Sequence, residues 1–188
     1  MPDTIQAQRF AFLGAESSGK STLSAAVFQQ LTQQYPLKKI VLVPEYAREY
    51  YANRPYKPTL NDVEHIAQEQ MRRVFAANLD SHVVLSDTSA ISCQVWAEIG
   101  FGQSTQTLTT LGLAAFDGIF LLSPDIPWEA DPLRSHPQQR PALYAYHQLI
   151  LMRQNQVWHE ISGSFQQRLN AVLTIIQSKR SAHELFNK

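Results

Sequence analysis

The sequence predicts an α/β fold in which a parallel sheet of five strands is flanked by helices. Short apolar runs of strand type recur along the chain, and longer segments with helical periodicity separate them. A glycine-rich motif joins the first strand-type run to the first helical segment, in the order strand, loop, helix. The predicted strands are residues 9–13, 38–43, 82–87, 118–123 and 157–161.

The composition is that of one globular domain. The chain has 188 residues, of which 44% are hydrophobic and 17% charged, so we expect a single domain over residues 1–188 with its core at about 8–177. Sixteen basic residues balance sixteen acidic ones, which disfavours nucleic acid or an anionic membrane as a partner. No apolar run approaches the roughly 20 residues that cross a bilayer, and the N-terminus lacks a leader pattern. We therefore expect a cytoplasmic protein.

The glycine-rich motif is a phosphate-binding loop, or P-loop. Residues 14–21 match G-x-x-x-x-G-K-[ST] at every fixed position. Its backbone N–H groups point at a polyphosphate at the positive end of the following helix, and Lys20 reaches the β- and γ-phosphates. The Ser21 hydroxyl is placed for Mg²⁺, beside Thr22. The motif predicts ATP and Mg²⁺ as cofactors. The predicted nucleotide contacts are Gly14, Glu16, Ser17, Ser18, Gly19, Lys20, Ser21 and Thr22.

Two acidic residues follow predicted strands and are candidates for the chemistry. Asp87 ends the run 82–87 in the manner of a Walker B acid, which holds Mg²⁺ directly or through water. Glu45 follows the run 38–43, and we prefer it as the base that accepts the proton of an attacking hydroxyl. Glu45 has the alternative role of a salt-bridge partner for Arg48, which itself either orients the acceptor or pairs with a carboxylate. Tyr46 either stacks on a planar base or caps the core.

A proline-rich segment at residues 125–141 has the character of a mobile lid over the phosphates. It contains Arg134 and Arg140, which are predicted to neutralise charge on the transferring phosphoryl group, the alternative being two solvated arginines. The lone cysteine, Cys93, is expected to be a buried inert thiol. After Gln177, the polar tail is expected to be frayed.

Four short sequence blocks occur in the same order as in a known protein family. Two of them, E-Y-A-R-E-Y and W-E-A-D-P-L-R-S, are much more specific to that family than the P-loop is. The blocks are residues 14–23, 45–50, 86–88 with 95–96, and 128–135. They resemble the ribosylnicotinamide kinase domain of bacterial NadR proteins and its stand-alone relatives, grouped as AAA-type ATPase domains. The resemblance implies a P-loop NTPase fold of the nucleoside-kinase-like type with an arginine-bearing lid.

The resemblance also implies an activity: ATP-dependent phosphorylation of the 5′-hydroxyl of nicotinamide riboside, which gives nicotinamide mononucleotide for NAD synthesis. Because only a short segment precedes Gly14, we expect the kinase part alone, without adenylyltransferase or DNA-binding domains. Ser89 and Pro44 depart from the family pattern, and both positions concern the acceptor. A kinase for another nucleoside or small alcohol, and a nucleotide-binding regulatory module or slow ATPase, are the alternatives.

Overall fold

The structure, a computed structural model, describes residues 7–129 and 137–186. Its centre is a five-stranded sheet in the order β2-β3-β1-β4-β5, in which every neighbouring pair is parallel. The predicted α/β fold class and all five predicted strands are therefore confirmed. The strands are β1 (Gln8–Gly14), β2 (Ile40–Val43), β3 (Val83–Ser86), β4 (Gly118–Leu122) and β5 (His159–Ile161).

Helices cover both faces of the sheet, which is why β1 from Phe10 to Leu13 and β4 from Ile119 to Leu122 are uninterrupted apolar runs. Side chains alternate along β1, so that Phe10 and Phe12 pack toward α1 and α7 while Ala11 and Leu13 pack toward α4 and α6. A further apolar cluster joins α3, α4 and α5. The helices are α1 (Lys20–Gln34), α2 (Tyr46–Tyr51), α3 (Leu60–Asn78), α4 (Ala90–Phe101), α5 (Gln106–Gly112), α6 (Arg140–Arg153) and α7 (Phe165–Phe186), with a 3₁₀ turn at Pro137–Gln139.

The C-terminal tail differs from the expectation. Helix α7 continues without a break from Phe165 to Phe186, whereas residues after Gln177 were expected to fray. Residues 178–186 contain neither glycine nor proline, so nothing in the local sequence stops a helix that is already formed. None of the helices in the described residues combines the length and apolar character that a membrane crossing requires.

The strand order positions the functional loops. β1 lies at the centre of the sheet, paired with β3 on one side and β4 on the other, and the P-loop leaves its carboxyl end. Asp87 leaves β3, directly beside β1, and Glu45 leaves β2, one strand further out. Since all strands are parallel, these three connections meet at one edge of the sheet, where open α/β sheets bind ligands.

We expect Gly14→Ala to destabilise the protein. Gly14 has φ 144°, and a Cβ there would lie 2.8 Å from the carbonyl oxygen of Leu122, which belongs to the sheet and cannot move aside. The expected loss is about 2 kcal/mol or more in the free energy of unfolding, measured by urea denaturation.

Gly100→Ala is the matched control, because Gly100 lies in helix α4 and a Cβ there meets nothing within 4 Å. It should leave stability unchanged or raise it by up to about 1 kcal/mol. Equal stability of the two variants would contradict the packing described for the P-loop.

Candidate active site

The P-loop adopts a curled backbone that few residues tolerate. Three of its positions have positive φ: Gly14 at 144°, Ser17 at 52° and Gly19 at 84°. Helix α1 begins at the next residue, Lys20, so the loop lies at the positive end of that helix. Successive N–H groups in such a turn converge and form an anion-binding concavity. The loop thus has the shape of a phosphate cradle.

Two buried arginines hold the P-loop by its carbonyl groups. The guanidinium of Arg140 donates to the carbonyl oxygen of Ser17 at 3.1 Å, and that of Arg168 donates to the carbonyl oxygen of Ser18 at 3.0 Å. Both side chains are less than a tenth exposed. With its carbonyls fixed on these cations, the loop leaves its N–H groups available to an anion.

The same two arginines attach the segment after β4 to the P-loop. Arg140 also donates to the carbonyl oxygens of Pro124 and Ile126, at 3.0 and 2.8 Å, and Arg168 pairs with Asp125. The hydroxyl of Ser17 exchanges hydrogen bonds with the backbone N–H and carbonyl of Glu129, at 3.1 and 3.0 Å. The beginning of the predicted lid is therefore bound to the P-loop.

Of the two arginines predicted to lie in the lid, the structure describes Arg140 but not Arg134. Arg140 is the first residue of α6 and is buried against backbone carbonyls, so it is not the cation of an irregular lid that the sequence suggested. Three carbonyl groups converge on its position and require a cation with several donors. Arg134 lies outside the residues that the structure describes.

Lys20, Ser21 and Asp87 are brought together as predicted. The Lys20 ammonium donates to the carbonyl oxygens of Gly14 and Ala15, at 3.0 and 2.9 Å. Burial raises the pKa of Asp87, whereas the hydrogen bond from Ser21 and the charges of Lys20 and Arg48 lower it. These contacts place a carboxylate, a hydroxyl and an ammonium beside the phosphate cradle.

The pair of Ser21 and Asp87 fits a magnesium ion. Asp87 is 4% exposed, and its Oδ1 is a buried oxygen with no hydrogen-bond partner. No group of three His, Cys, Asp or Glu side chains that suits a metal occurs in residues 7–129 and 137–186. Mg²⁺ binds through one or two protein oxygens together with phosphate and water oxygens, and this pair is such a donor set.

Glu45 lies at the N-terminus of α2 and pairs with Arg48 at 3.2 Å between Oε2 and Nε. Burial is the main cause that raises the pKa of Glu45, and Asp87 raises it further, whereas Lys20 and Arg48 lower it. The carboxylate is thus close enough to the P-loop lysine to sense its charge. A base with a raised pKa is the type that general-base catalysis near neutral pH favours.

Gln70 holds the N-terminus of α2, the helix that follows Glu45. The sequence alone did not identify this role of Gln70. The side chain of Gln70 is fully buried; its oxygen accepts from the backbone N–H of Tyr46 at 2.9 Å, and its amide donates to Ser86 at 3.1 Å. It therefore ties the start of α2 to the end of β3. The feature of the sequence that could have identified Gln70 is its polar side chain at an inward position of α3, between the buried residues Ala67 and Met71.

A cavity of about 700 Å³ extends from the P-loop past Glu45. Its far wall is apolar and aromatic, with contributions from α2, α3, α4 and the loop after α2. The lining residues outside the P-loop and α1 are Glu45, Ala47, Arg48, Tyr51, Tyr56, Pro58, Val63, Ile66, Thr88, Ser92, Cys93, Trp96, Ile99, Gly100, Phe101 and Gln139.

Of the predicted substrate contacts, Glu45, Tyr46, Arg48 and Asp87, the cavity lining includes Glu45 and Arg48 but neither Tyr46 nor Asp87. Tyr46 does not line it, because its ring packs on His65 and under the guanidinium of Arg73, 4.4 Å from the ring centroid. Tyr51 and Tyr56 line the cavity instead, with ring centroids 4.9 Å apart. All the predicted nucleotide contacts line it, as does Arg48, whereas Asp87 lies outside the lining.

The backbone of Thr88 and the thiol of Cys93, both in the cavity wall, have unusual properties. Thr88 has φ 105°, which is rare for a β-branched residue and occurs mostly at functional sites. Cys93 is buried as expected, and burial raises the pKa of its thiol to about 12, so the thiol is not a nucleophile at neutral pH.

A P-loop on the central strand and an acid on the neighbouring strand define a P-loop NTPase fold. The sequence model of the AAA domain family matches residues 9–168, and the chain belongs to that family. No curated protein sequence matches the chain.

Solved structures share the fold at low sequence identity. NadR in complex with NAD and AMP-PNP superposes with a TM-score of 0.71, 16% identity and coverage of 93% of this chain and 49% of that one. NadR in complex with NR (nicotinamide riboside) has a TM-score of 0.72 and 15% identity, over 93% of this chain and 51% of that one. Thymidylate kinase from Ehrlichia chaffeensis has a TM-score of 0.64 and 15% identity, over 92% of this chain and 97% of that one. The chain therefore spans about half the length of the NadR structures and nearly all of the thymidylate kinase.

We expect Arg140→Lys to weaken ATP binding about tenfold, because the lysine side chain is one covalent bond shorter and its ammonium does not reach the position from which Nη2 of Arg140 contacts the carbonyls of Ser17, Pro124 and Ile126. Calorimetric titration with Mg-ATP measures the dissociation constant. Arg153→Lys is the control, since Arg153 is half exposed in a surface pair with Glu98. Unchanged affinity in a folded Arg140→Lys protein would contradict the proposed support of the P-loop.

Glu45→Gln is expected to stabilise the ligand-free protein increasingly as pH rises. The folded wild type holds the Glu45 proton more tightly than the unfolded chain does, whose ordinary pKa is 4.5. Wild type therefore loses unfolding free energy as pH rises from 4.5 through the raised pKa, and the glutamine variant does not share this loss. Urea denaturation of both proteins from pH 4 to pH 8 measures the difference, and a difference that shrinks with pH would contradict a raised pKa.

Proposed function

We propose that this protein is a Mg-ATP-dependent kinase that phosphorylates the 5′-hydroxyl of a riboside. The observation that carries the proposal is that one continuous cavity runs from the P-loop past Glu45 to an aromatic wall. A regulatory module needs a triphosphate site and an open surface for its partner. A kinase needs room for a second molecule beside the triphosphate, and this cavity supplies that room.

The residues between the P-loop and the far wall of the cavity have complementary roles. Lys20 and the N–H groups of the P-loop bind the triphosphate, and Ser21 with Asp87 holds Mg²⁺, which supplies charge neutralisation on the phosphates when bound. Glu45 accepts the proton of the attacking hydroxyl, and its ion pair with Arg48 keeps its carboxylate in place. Because Asp87 would hold the metal, we assign the role of base to Glu45.

Water must be excluded for transfer to a hydroxyl to compete with hydrolysis. We assign this role to the segment 125–141, with Arg134 as the cation that approaches the transferring phosphoryl group. The anchoring of Glu129 on Ser17 supports the assignment, because it fixes the start of this segment beside the phosphate cradle.

Nicotinamide riboside is the acceptor we favour, with nicotinamide mononucleotide as product and NAD synthesis as the process served. The sequence blocks of the NadR kinase domain support this choice. The similarity in fold to a NadR structure in complex with NR, at 15% identity, is in keeping with it. We propose a small-molecule partner and a cytoplasmic location.

We expect the purified protein to convert nicotinamide riboside and Mg-ATP to a 5′-monophosphate and ADP, in a panel that includes other ribosides and deoxyribosides. Lys20→Ala should lower kcat at least about 100-fold, because it removes a preorganised cation from the phosphates. Lys38→Ala, at an exposed site outside the cavity, is the control. The readout is the product mass; slow hydrolysis that no member of the panel stimulates would overturn the kinase proposal.

Glu45→Gln tests the assigned base. It should lower kcat by about 100-fold or more and leave the KM for ATP within a few-fold of wild type, because the amide cannot accept the proton. Glu64→Gln, which makes the same chemical change outside the cavity, is the matched control. A loss confined to the KM of the acceptor would make Glu45 a binding group and contradict its role as base.

A further inference from the structure

A buried serine–histidine pair lies in the wall of the cavity and has no part in the phosphoryl-transfer roles given above. Ser92, the third residue of α4, lines the cavity, and its hydroxyl lies 3.2 Å from Nε2 of His147 on α6. His147 is 1% exposed and does not line the cavity, so it supports Ser92 from behind.

The hydrogen bonds of the pair have a defined direction. Nδ1 of His147 lies 2.8 Å from the carbonyl oxygen of Leu143, which can only accept, so Nδ1 carries the proton. Burial lowers the pKa of His147 to about 4, and the imidazole is neutral at physiological pH. Nε2 is then an acceptor, and the Ser92 hydroxyl must donate its proton to it. The oxygen of Ser92 therefore keeps only acceptor capacity for the cavity.

The position of Ser92 on α4 determines which part of a bound molecule it meets. The residues of α4 that line the cavity are Ser92, Cys93, Trp96, Ile99 and Gly100, and all lie on one face of the helix. Ser92 is nearest the carboxyl end of β3 and Asp87. Trp96 follows about 6 Å further along the helix axis, and Gly100 about 12 Å. Ser92 thus stands between the phosphate end and the aromatic end.

The face of α4 beyond Ser92 is apolar, so a ligand that fills the cavity removes water from the Ser92 oxygen. A polar atom that loses water without gaining a hydrogen bond destabilises the complex. A ligand that offers a donor at this point avoids that loss. A site built in this way discriminates strongly between molecules that differ by one donor.

We propose that Ser92 is a specificity-determining residue that accepts a hydrogen bond from a hydroxyl or N–H group of the acceptor molecule, and that His147 is the positioning residue that keeps Ser92 an acceptor. The proposal rests on the kinase function proposed above. The donor is a sugar hydroxyl other than the reacting 5′-hydroxyl, or an amide N–H on the base.

The experiment compares nicotinamide riboside with analogues in which one group each can no longer donate: the 2′-O-methyl and 3′-O-methyl ethers, which lose one O–H, and the N,N-dimethyl amide, which loses both amide N–H groups. In the ethers the oxygen stays and a methyl group replaces the proton that it could donate. Wild type should phosphorylate one of the three analogues with kcat/KM lower by about tenfold or more than the parent. The identity of that analogue distinguishes a sugar hydroxyl from an amide.

Ser92→Ala should lower kcat/KM for the parent to near that of the discriminated analogue, so that their ratio falls to about one. His147→Leu frees the Ser92 hydroxyl to donate, and it should reduce the same ratio several-fold while the KM for ATP stays as in wild type. Ser81→Ala removes a buried serine hydroxyl, bonded to the carbonyl of Ala77, outside the cavity and should keep the wild-type ratio.

A merely structural link between α4 and α6 would lower activity with all acceptors equally and leave the ratio intact in Ser92→Ala, which would overturn the proposal. Equal rates of wild type with all four compounds would overturn it as well. The same compounds are also titrated by calorimetry into the protein with AMP-PNP and Mg²⁺. Binding that discriminates through Ser92 without transfer would overturn the kinase function and support the role of Ser92, and binding of none would overturn both.

Discussion

The site depends on one constraint: the P-loop backbone must hold three residues at positive φ with its carbonyls turned away from the phosphates. Glycine permits this conformation at Gly14 and Gly19, and Arg140 and Arg168 hold it by binding the carbonyls of Ser17 and Ser18. Two buried guanidinium groups are expensive to desolvate. Their donors are directed to backbone oxygens on the loop and on residues 123–126, so the same bonds that shape the cradle also fix the chain that follows β4.

The strand order of the parallel sheet places the acidic residues of the site beside the P-loop. Because β3 is the immediate neighbour of β1, Asp87 emerges next to Ser21, and because β2 is next in order, Glu45 emerges beside both. Gln70 then locks the start of α2 to the end of β3. The far wall of the cavity is built from α2, α3, α4 and the loop after α2. Helices α3 and α4 pack on each other in an apolar cluster that contains no residue of the P-loop.

Much of this arrangement was predictable from local patterns. The P-loop spacing and the acids at strand ends each occupy a few consecutive residues, and the structure contains them where they were expected. The residues that were missed, Gln70, His147 and Arg168, share another signal: they are polar side chains at inward positions of amphipathic helices. The partners that give them their roles, Ser86, Ser92 and Ser18, lie 16, 55 and 150 residues away, so no local pattern identifies them. Tyr46 was misplaced because the direction of a side chain on a single short helix depends on α3.

The central claim is that the γ-phosphoryl group of ATP passes to a hydroxyl bound in the cavity rather than to water. The most direct measurement uses ATP labelled with ¹⁸O at the γ-phosphoryl oxygens, Mg²⁺ and nicotinamide riboside, and follows the label by mass spectrometry. The account predicts the labelled phosphoryl group in the riboside 5′-monophosphate, in an amount equal to the ADP formed. Label found in inorganic phosphate alone, with the riboside unchanged, would contradict it.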